Sequence, residues 1–340
     1  MRPFINWANS REKDLGAILP LIPKDIDTFV DPFVGDGACY LAVEARNYAL
    51  ADRNQELINA YRAVQTGGPR LRSLLPELAR IWNGCDTTFE GIRSGLLELK
   101  HSVDSGLFSD YLSLTKAVGR ITDKVSFEEL FPTPFTEPFE FQTELRHQMI
   151  LALESMGEET EDESAALSFY TAFKAAVFQY FAEVFNKPES KNTLRAALLV
   201  FLMEYARADK YVEDAGQFRP EYAGRKANQR SISDRIDTIL SPTLGQKMEV
   251  TRTYCQDIFR TLGFPFSKEA GNFMFLDIPS VSPKTLSKAG RKRLAEYLQS
   301  GTKVRWMLIC PMEDMILGYM PDKVVKSSVP HGKDLILMNY

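Results

Sequence analysis

The first hydrophobic pattern along the chain alternates short apolar runs with helical spacing. Residues 27–33 form a β-branched and aromatic run, and a glycine turn leads from it to helical spacing over residues 39–46. A second short apolar run over residues 48–51 ends at Asp52, and helical spacing returns over residues 55–65. Strand, glycine turn, helix, strand and acid is the order of a nucleotide-binding βαβ unit, so we predict such a unit here.

The pattern changes after residues 67–69, which read Gly-Gly-Pro and mark a boundary. Leucine-rich helical periodicity dominates the stretch that follows. We therefore interpret residues 67–190 as a mostly helical insertion. Residues 1–66 and 191–340 would form the α/β core that this insertion interrupts.

The α/β pattern returns in the last part of the chain. Residues 273–276 are continuously apolar, as expected of a central parallel strand that is covered on both faces. Residues 250–255, 303–310 and 333–339 have the character of further strands. The fold class that these patterns predict is α/β, with a mostly parallel sheet.

Composition excludes several classes of protein. The 340 residues are 44% hydrophobic and 25% charged, unlike a disordered, collagen-like or disulfide-stapled chain. The cysteines Cys39, Cys85, Cys255 and Cys310 include no close pair, which argues against a disulfide framework and a zinc site. The longest mostly apolar stretch, residues 194–205, is too short to span a bilayer, and the N-terminus lacks the features of a signal peptide. We therefore expect a reduced, cytoplasmic protein without membrane contact.

The distribution of charge along the chain is more informative about nucleic-acid binding than the net charge. The net charge is −4, from 41 basic and 45 acidic residues, which argues mildly against a nucleic-acid-binding protein. Residues 284–305 nevertheless contain seven basic residues and one acidic residue. A helix over residues 288–293 is suited to contact phosphates, with salt-dependent affinity. An ordinary solvated helix face is the alternative interpretation.

The glycine turn carries the clearest candidate chemistry. Gly35 and Gly37 let the backbone turn sharply and approach a ligand, and the start of the next helix offers free amide donors. Asp52, at the tip of the following strand, is placed to accept hydrogen bonds from two ribose hydroxyls. The third glycine of a dinucleotide fingerprint is missing, which favours an adenosyl ligand without a pyrophosphate over NAD. A tight strand–helix turn that binds nothing is the alternative.

Four segments resemble the Dam-type adenine-N6 DNA methyltransferases, in the order that the family has. Residues 3–11 are similar to the family's Pro-Phe-x-Lys-Trp-Ala-Gly-Gly-Lys, and residues 31–38 to its Glu-Pro-Phe-Val-Gly-Gly-Gly-Ala. Residues 52–61 match Asp-x-Asn-x-Glu-Leu-Ile-Asn-x-Tyr, and residues 333–340 resemble the terminal Lys-Glu-Leu-Leu-Ile-x-Asn-Tyr. The resemblance implies a Rossmann-like S-adenosylmethionine (SAM)-dependent methyltransferase fold with a mostly parallel, seven-stranded sheet.

The resemblance also implies that SAM binds over the glycine turn. Asp52 would hold the ribose, while Trp7 and Arg11 would lie beside the methionine end. Arg11 replaces the family's lysine and keeps its charge without its geometry. Asp257 would lie near the adenine. The cofactor-binding residues implied in this way are Trp7, Arg11, Phe33, Gly35, Gly37, Asp52 and Asp257.

The methyl-transfer segment departs from the family's Asp-Pro-Pro-Tyr and reads Asp277-Ile278-Pro279-Ser280. An adenine amino group is a poor nucleophile, and a carboxylate and a backbone carbonyl that accept its two hydrogens make it more reactive. The resemblance assigns these roles to Asp277 and to the carbonyl of Ile278, with Pro279 shaping the loop. Losing the first proline is expected to cost rigidity. Ser280 lacks the ring for base stacking, which contributes about 1–3 kcal/mol, or roughly one to two powers of ten in rate.

The segments that the family associates with DNA contact resemble the family's motifs to different degrees. Residues 202–209 have diverged from the family's Leu-Asn-Arg-x-x-Phe-Asn-Gly, whereas residues 216–218 and 222–226 still resemble its Gly-Glu-Phe and Pro-Phe-Gly-Arg. The helical insertion would carry at least part of target recognition. The residues expected to contact DNA are Arg225, Lys226, Arg291, Lys292 and Arg293.

The function that the resemblance implies is SAM-dependent methylation of the exocyclic amino group of adenine in double-stranded DNA. The target base would be flipped out of the duplex, and no metal would be required. A protein that keeps the fold but not the activity, and that binds DNA or another protein, is the alternative. A NAD-dependent oxidoreductase is disfavoured by the missing third glycine. The sequence leaves the recognition site and the oligomeric state open.

Overall fold

The computed structural model describes the chain except residues 67, 109, 159, 208–210, 212, 266–267, 279–285, 301–302, 321–324 and 329–333. The chain divides into two compact units. Met1–Pro69 and Asp234–Tyr340 form one of them, which we call the sheet unit. Arg70–Ser233 forms the other, which we call the helical unit.

The regular elements follow in chain order. The strands are β1 (Thr28–Asp31), β2 (Asn47–Asp52), β3 (Glu213–Asp214), β4 (Gln217–Phe218), β5 (Thr251–Cys255), β6 (Phe273–Asp277), β7 (Arg305–Pro311), β8 (Val325–Ser328) and β9 (Asp334–Met338). The helices are α1 (Leu15–Ile18), α2 (Ala38–Ala42), α3 (Gln55–Gln65), α4 (Pro69–Asp104), α5 (Tyr111–Thr122), α6 (Phe127–Leu130), α7 (Pro138–Ser155), α8 (Asp162–Asn186), α9 (Asn192–Tyr205), α10 (Arg225–Asn228), α11 (Ser233–Leu240), α12 (Pro242–Glu249), α13 (Ile258–Leu262) and α14 (Lys288–Gln299). Short 3₁₀ segments are Glu12–Asp14, Leu19–Leu21 and Met315–Tyr319.

The described strands of the sheet unit form one sheet in the order β5-β2-β1-β6-β7-β9-β8. Pairing is parallel from β5 to β7, whereas β9 is antiparallel to both of its neighbours. The predicted Rossmann-like, mostly parallel sheet is therefore confirmed. Because β1, β2 and β6 are adjacent and parallel, they all end at the same edge of the sheet.

The continuous apolar character of β6 is explained by burial on both faces. Met274 and Leu276 pack into a cluster with side chains of α13 and α14. The alternate residues Phe273 and Phe275 lie on the other face, with ring centroids 6.0 and 6.2 Å from that of Phe29. Two-sided packing leaves only the strand ends available for polar chemistry.

The helical unit extends further along the chain than the sequence pattern indicated. We expected the insertion to end at residue 190, but the unit runs to Ser233 and includes α9. The ring of Phe201 on α9 packs edge-on against Phe181 of α8, with centroids 5.1 Å apart. The Asn186 side chain, at the end of α8, hydrogen-bonds both the N–H and the C=O of Phe218, each at 2.9 Å. These contacts explain why residues 191–233 pack with the helices.

Within the described ranges, no helix is both long enough and apolar enough to cross a bilayer.

Residues 339 and 340 form hydrogen bonds with the backbone of the sheet unit. The Asn339 side chain accepts a hydrogen bond from the Trp306 N–H at 2.8 Å and donates one to the Val304 carbonyl at 3.0 Å. These bonds extend the β7–β9 pairing by one residue. The Tyr340 hydroxyl donates to the Leu21 carbonyl at 2.8 Å. The terminal Asn-Tyr therefore stabilises the sheet.

We predict that Asn339→Ala lowers the free energy of unfolding by about 1–3 kcal/mol, because two backbone groups lose their partners. Denaturant unfolding followed by circular dichroism measures this change. Asn47→Ala is the matched control, since Asn47 is exposed at the start of β2 and its replacement should cost less than about 0.5 kcal/mol. Equal losses in the two variants would contradict the role given to Asn339.

Candidate functional site

Three carboxylates mark the edge at which the central parallel strands end. Asp31, Asp52 and Asp277 are the last residues of β1, β2 and β6. Burial raises the pKa of all three, and repulsion from Asp277 and Asp52 raises that of Asp31 further. Nowhere in the described part of the chain do three His, Cys, Asp or Glu side chains form a metal-ligand group. The arrangement suits a ligand with positive charge and hydroxyl donors.

The glycine turn between β1 and α2 lies against this edge. Gly35 and Gly37 have φ of 52° and 73°, in the left-handed region that favours glycine. A Cβ at Gly37 would collide with the hydroxyl of Tyr61, which donates a hydrogen bond to the Gly35 carbonyl at 3.1 Å. A Cβ at Gly35 would lie 3.5 Å from Trp7, so the indole lies beside the turn. The predicted tight turn is therefore present, and Trp7 lies beside it.

Asp52 connects the turn to the second strand. Its carboxylate accepts a hydrogen bond from the Asn54 N–H at 2.9 Å and also accepts from the backbone of Gly35 and Arg53. Asn54 in turn caps α3 by accepting from the Leu57 N–H at 2.9 Å. A carboxylate held by the backbone in this way is fixed in direction. It keeps further acceptor sites for hydroxyl donors.

The start of α2 differs from the expectation of free amide donors. The Gly37 N–H donates to the Val34 carbonyl at 2.8 Å, and the Ala38 N–H donates to the Asp36 carboxylate at 3.0 Å. Asp36 stands where the resembling family has glycine, and it is only 7% exposed. A buried carboxylate at this helix start repels a pyrophosphate, which is a further argument against a dinucleotide.

The pKa of the buried Asp36 carboxyl group is set by its surroundings. Burial raises its pKa to about 6, although a hydrogen bond from Ser10 and the charge of Arg235 oppose that change. The carboxylate is therefore ionised above about pH 6, at a cost in folding free energy.

Arg11 lies on Asp277. Its Nε and Nη2 donate to the two oxygens of Asp277 at 2.8 and 2.6 Å, and its Nη1 donates to Asp334 at 2.7 Å. The family resemblance places Arg11 at the same site but beside the methionine end of SAM, and it does not indicate Asp334 as a partner. The available signal was the acid in the C-terminal segment, where the family has glutamate.

The segment after β6 is held by a backbone hydrogen bond that the proline in the family's Asp-Pro-Pro-Tyr motif could not form. The Ile278 N–H donates to the Ile309 carbonyl at 2.9 Å, and its side chain is 1% exposed in the core. A proline could not make this bond. The expected loss of rigidity at position 278 is therefore offset by an added link to β7. Pro279 and Ser280 lie outside the described residues.

Phe33 and Asp257 also lie near the strand ends. The Phe33 N–H donates to the Asp31 carboxylate at 3.1 Å, and its ring packs against the core cluster that contains Ile278. Asp257 is exposed and caps α13 by accepting from the Arg260 N–H at 3.0 Å. Next to it, the Gln256 N–H donates to the Asp52 carbonyl at 3.0 Å, which ties the end of β5 to that of β2.

The basic helix α14 is less available to phosphates than its sequence indicates. Nε of Arg291 lies 2.9 Å from both oxygens of Asp314, and the arginine side chain is 12% exposed. The guanidinium of Arg293 lies 4.3 Å from the centre of the Phe259 ring. Lys292 is 61% exposed, with Glu296 at 3.9 Å. On this helix, Lys292 is therefore better placed than Arg291 to reach a phosphate.

The remaining predicted DNA contacts belong to the helical unit. Arg225 is exposed and donates a hydrogen bond to the Ser168 hydroxyl at 3.0 Å. Lys226, the next residue, is also exposed. Both lie on the short helix α10 and are accessible to solvent.

Comparison with known proteins supports the resemblance over the first part of the chain. Residues 7–90 match the family model described as D12 class N6 adenine-specific DNA methyltransferase. The predicted resemblance to the Dam-type family is confirmed over this stretch.

Individual relatives align over a similar length. Type II methyltransferase M1.LlaDCHI of Lactococcus lactis subsp. cremoris is 33% identical over 75 residues, or 22% of this chain and 26% of that protein. Type II methyltransferase M.CviBI of Paramecium bursaria Chlorella virus NC1A is 33% identical over 69 residues, or 20% of this chain and 26% of that protein. The DNA adenine methylase of Haemophilus influenzae is 36% identical over 64 residues, or 19% of this chain and 22% of that protein. The chain thus spans about a quarter of the length of the curated relatives it matches.

We predict that Asp36→Asn stabilises the protein at pH 8 and leaves its stability unchanged near pH 4. The folded pKa of about 6 lies above the unfolded value, so wild-type stability falls as the pH rises through this interval. Ionisation of the buried group costs about 3 kcal/mol above pH 6, and asparagine keeps the acceptor for Ala38 without that cost.

Denaturant midpoints measured between pH 4 and pH 8 test this prediction. Asp237→Asn is the control, since Asp237 is exposed on α11 and its replacement should leave the pH profile unchanged. An Asp36→Asn variant that is no more stable than the wild type at pH 8 would show that the carboxylate carries no burial cost.

Proposed function

We propose that the protein is a SAM-dependent DNA methyltransferase that modifies the exocyclic amino group of adenine. The observation that carries this proposal is the set of Asp31, Asp52 and Asp277 at the ends of three adjacent parallel strands, beside the Gly35–Gly37 turn. The family match over residues 7–90 gives the chemistry for which such an edge is suited.

The residues of this edge fit SAM. The Asp52 carboxylate is fixed in direction by the backbone of Asn54, Gly35 and Arg53, and it would accept from the ribose hydroxyls. Gly37 keeps the turn free of a Cβ, and Trp7 offers an apolar surface beside it. SAM, when bound, supplies an electrophilic methyl group on a positively charged sulfur. Asp36, which is ionised above about pH 6, places negative charge on this side of the sheet, and this favours a cation over a pyrophosphate.

Asp277 and Ile278 supply the acceptors for the target amino group. The Asp277 carboxylate would accept one N–H, and the Ile278 carbonyl would accept the other. Both acceptors draw electron density onto the nitrogen, which makes its lone pair more nucleophilic. The base must leave the duplex to reach them.

The proposed DNA contacts are spread over both units of the chain. The exposed Lys226 and Lys292 are the predicted contacts with the fewest internal partners, and phosphates would add to their affinity at low salt. The helical unit, Arg70–Ser233, is proposed to take part in target recognition. No feature of the described residues favours a protein without activity.

We predict that the wild type binds SAM in isothermal titration calorimetry and does not bind NAD. Asp52→Asn keeps an acceptor for Asn54 but removes the charge, and should weaken SAM binding about 10- to 100-fold. Asp25→Ala, an exposed acid before β1 at the opposite end of the strands, should bind SAM like the wild type. A folded wild type that gives no heat with millimolar SAM would refute the cofactor assignment.

We predict that the wild type transfers tritiated methyl groups from SAM to DNA that lacks adenine methylation, and that digestion yields N6-methyladenine. Asp277→Ala should lower the rate at least about 100-fold, because an acceptor for the amino group is lost. Its fold is checked by circular dichroism and its SAM affinity by calorimetry. Binding of SAM without incorporation by the wild type would support the alternative of a protein that has lost its activity.

A further inference from the structure

Arg11 connects three parts of the sheet unit that are far apart in sequence. The guanidinium extends from the N-terminal segment to Asp277 at the end of β6 and to Asp334 at the start of β9. We call these three residues the Arg11 cluster. Their side chains are 12%, 14% and 18% exposed, so the charges interact in a largely dry environment.

The geometry of the Arg11–Asp277 pair is that of a fork on a carboxylate. Two parallel N–H donors meet the two carboxylate oxygens at 2.8 and 2.6 Å, which fixes the plane of the carboxylate as well as its position. Each oxygen has a second lone pair, so the pairing leaves acceptor sites on Asp277. The third donor, Nη1, is held by Asp334, which prevents the guanidinium from turning away.

Burial and nearby acids disfavour the ionised form of Asp277, and Arg11 favours it. Burial raises the pKa of Asp277, and Asp334 on β9 and Asp14 in the N-terminal segment raise it further. Asp31 on β1 and the Cys39 thiol on α2 also interact with it. The hydrogen bonds and charge of Arg11 oppose these effects.

We infer that Arg11 is a positioning residue, which keeps the Asp277 carboxylate ionised and oriented towards the target amino group, while Asp334 anchors Arg11. This inference rests on the proposed methyltransferase function. It differs from the role implied by the family resemblance, in which Arg11 contacts the methionine end of SAM. A residue that binds SAM changes the KM for SAM, whereas a residue that prepares Asp277 changes kcat and its dependence on pH.

Two substitutions separate charge from geometry. Arg11→Met removes both, and its side chain has an apolar stem of comparable length. Arg11→Lys keeps the charge but cannot form the planar fork. Arg46→Met is the matched control, since Arg46 is 82% exposed and pairs with Asp27 at the opposite end of the strands.

The first measurement is kcat against pH at saturating SAM and DNA. Arg11→Met should lower kcat about 10- to 100-fold at pH 7.5 through misplacement of the acceptor. Activity requires the ionised carboxylate, so it is lost as the pH falls through the pKa of Asp277. Without Arg11 that pKa rises, and the acidic limb should move up by at least about one pH unit. Arg11→Lys should keep the limb near its wild-type position with a smaller loss of kcat, and Arg46→Met should match the wild type.

The second measurement does not depend on activity. Carbon-13 NMR of aspartate labelled at Cγ reports the titration of Asp277, with its signal assigned by loss in Asp277→Asn. We expect the Asp277 titration to move to higher pH in Arg11→Met and to stay in place in Arg46→Met. An unchanged titration in folded Arg11→Met would overturn the inference, whatever the methylation assay shows.

The outcomes distinguish the two proposals. A higher KM for SAM with an unmoved acidic limb would make Arg11 a SAM contact and refute its positioning role. A lower thermal stability with neither titration nor limb changed would reduce the cluster to a structural ion pair. If the wild type transfers no methyl group, the proposed function fails, and the NMR titration still decides the role of Arg11.

Discussion

The parallel pairing of β1 between β2 and β6 is the constraint on which the site depends. Parallel neighbours end at one edge, so Asp31, Asp52 and Asp277 come together even though their charges repel. The protein compensates locally, with backbone N–H donors at Asp52 and the fork of Arg11 at Asp277. An edge that is prepared in this way favours a cationic partner with hydroxyl groups, which is the main physical argument for an adenosyl sulfonium ligand.

The parts of the fold that could be predicted from the sequence are those that one short segment specifies. The positive φ of Gly35 and Gly37 follows from glycine placement after an apolar strand, and Asp52 follows the next strand directly. The continuous apolar run of β6 required burial on both faces, which the core confirms. In each of these cases the pattern and its structural cause lie within about ten residues of one another.

What could not be predicted depends on partners that are distant in sequence. The apolar character of α9 shows that it is buried but not which unit buries it, so the sequence pattern predicts a boundary at 190, whereas the helical unit runs to Ser233. The Arg11–Asp277 pair joins residues 266 positions apart, and Arg11–Asp334 spans 323. The effect of Asp36 on the first helical amides comes from a side chain, which a motif of glycines does not anticipate.

The departure at residue 278 shows how a motif can change without losing the groups that its chemistry uses. Proline would fix the backbone through its ring, whereas Ile278 fixes it through an N–H bond to Ile309 and a side chain in the core. Either residue presents a main-chain carbonyl next to Asp277. The carboxylate, in turn, is held from outside the segment by Arg11 and thereby by Asp334. The rigidity that the proposed reaction requires is therefore supplied by β7, β9 and the N-terminal segment together. The four-residue motif alone contains none of these supporting groups, so it is not sufficient to judge whether the protein is active.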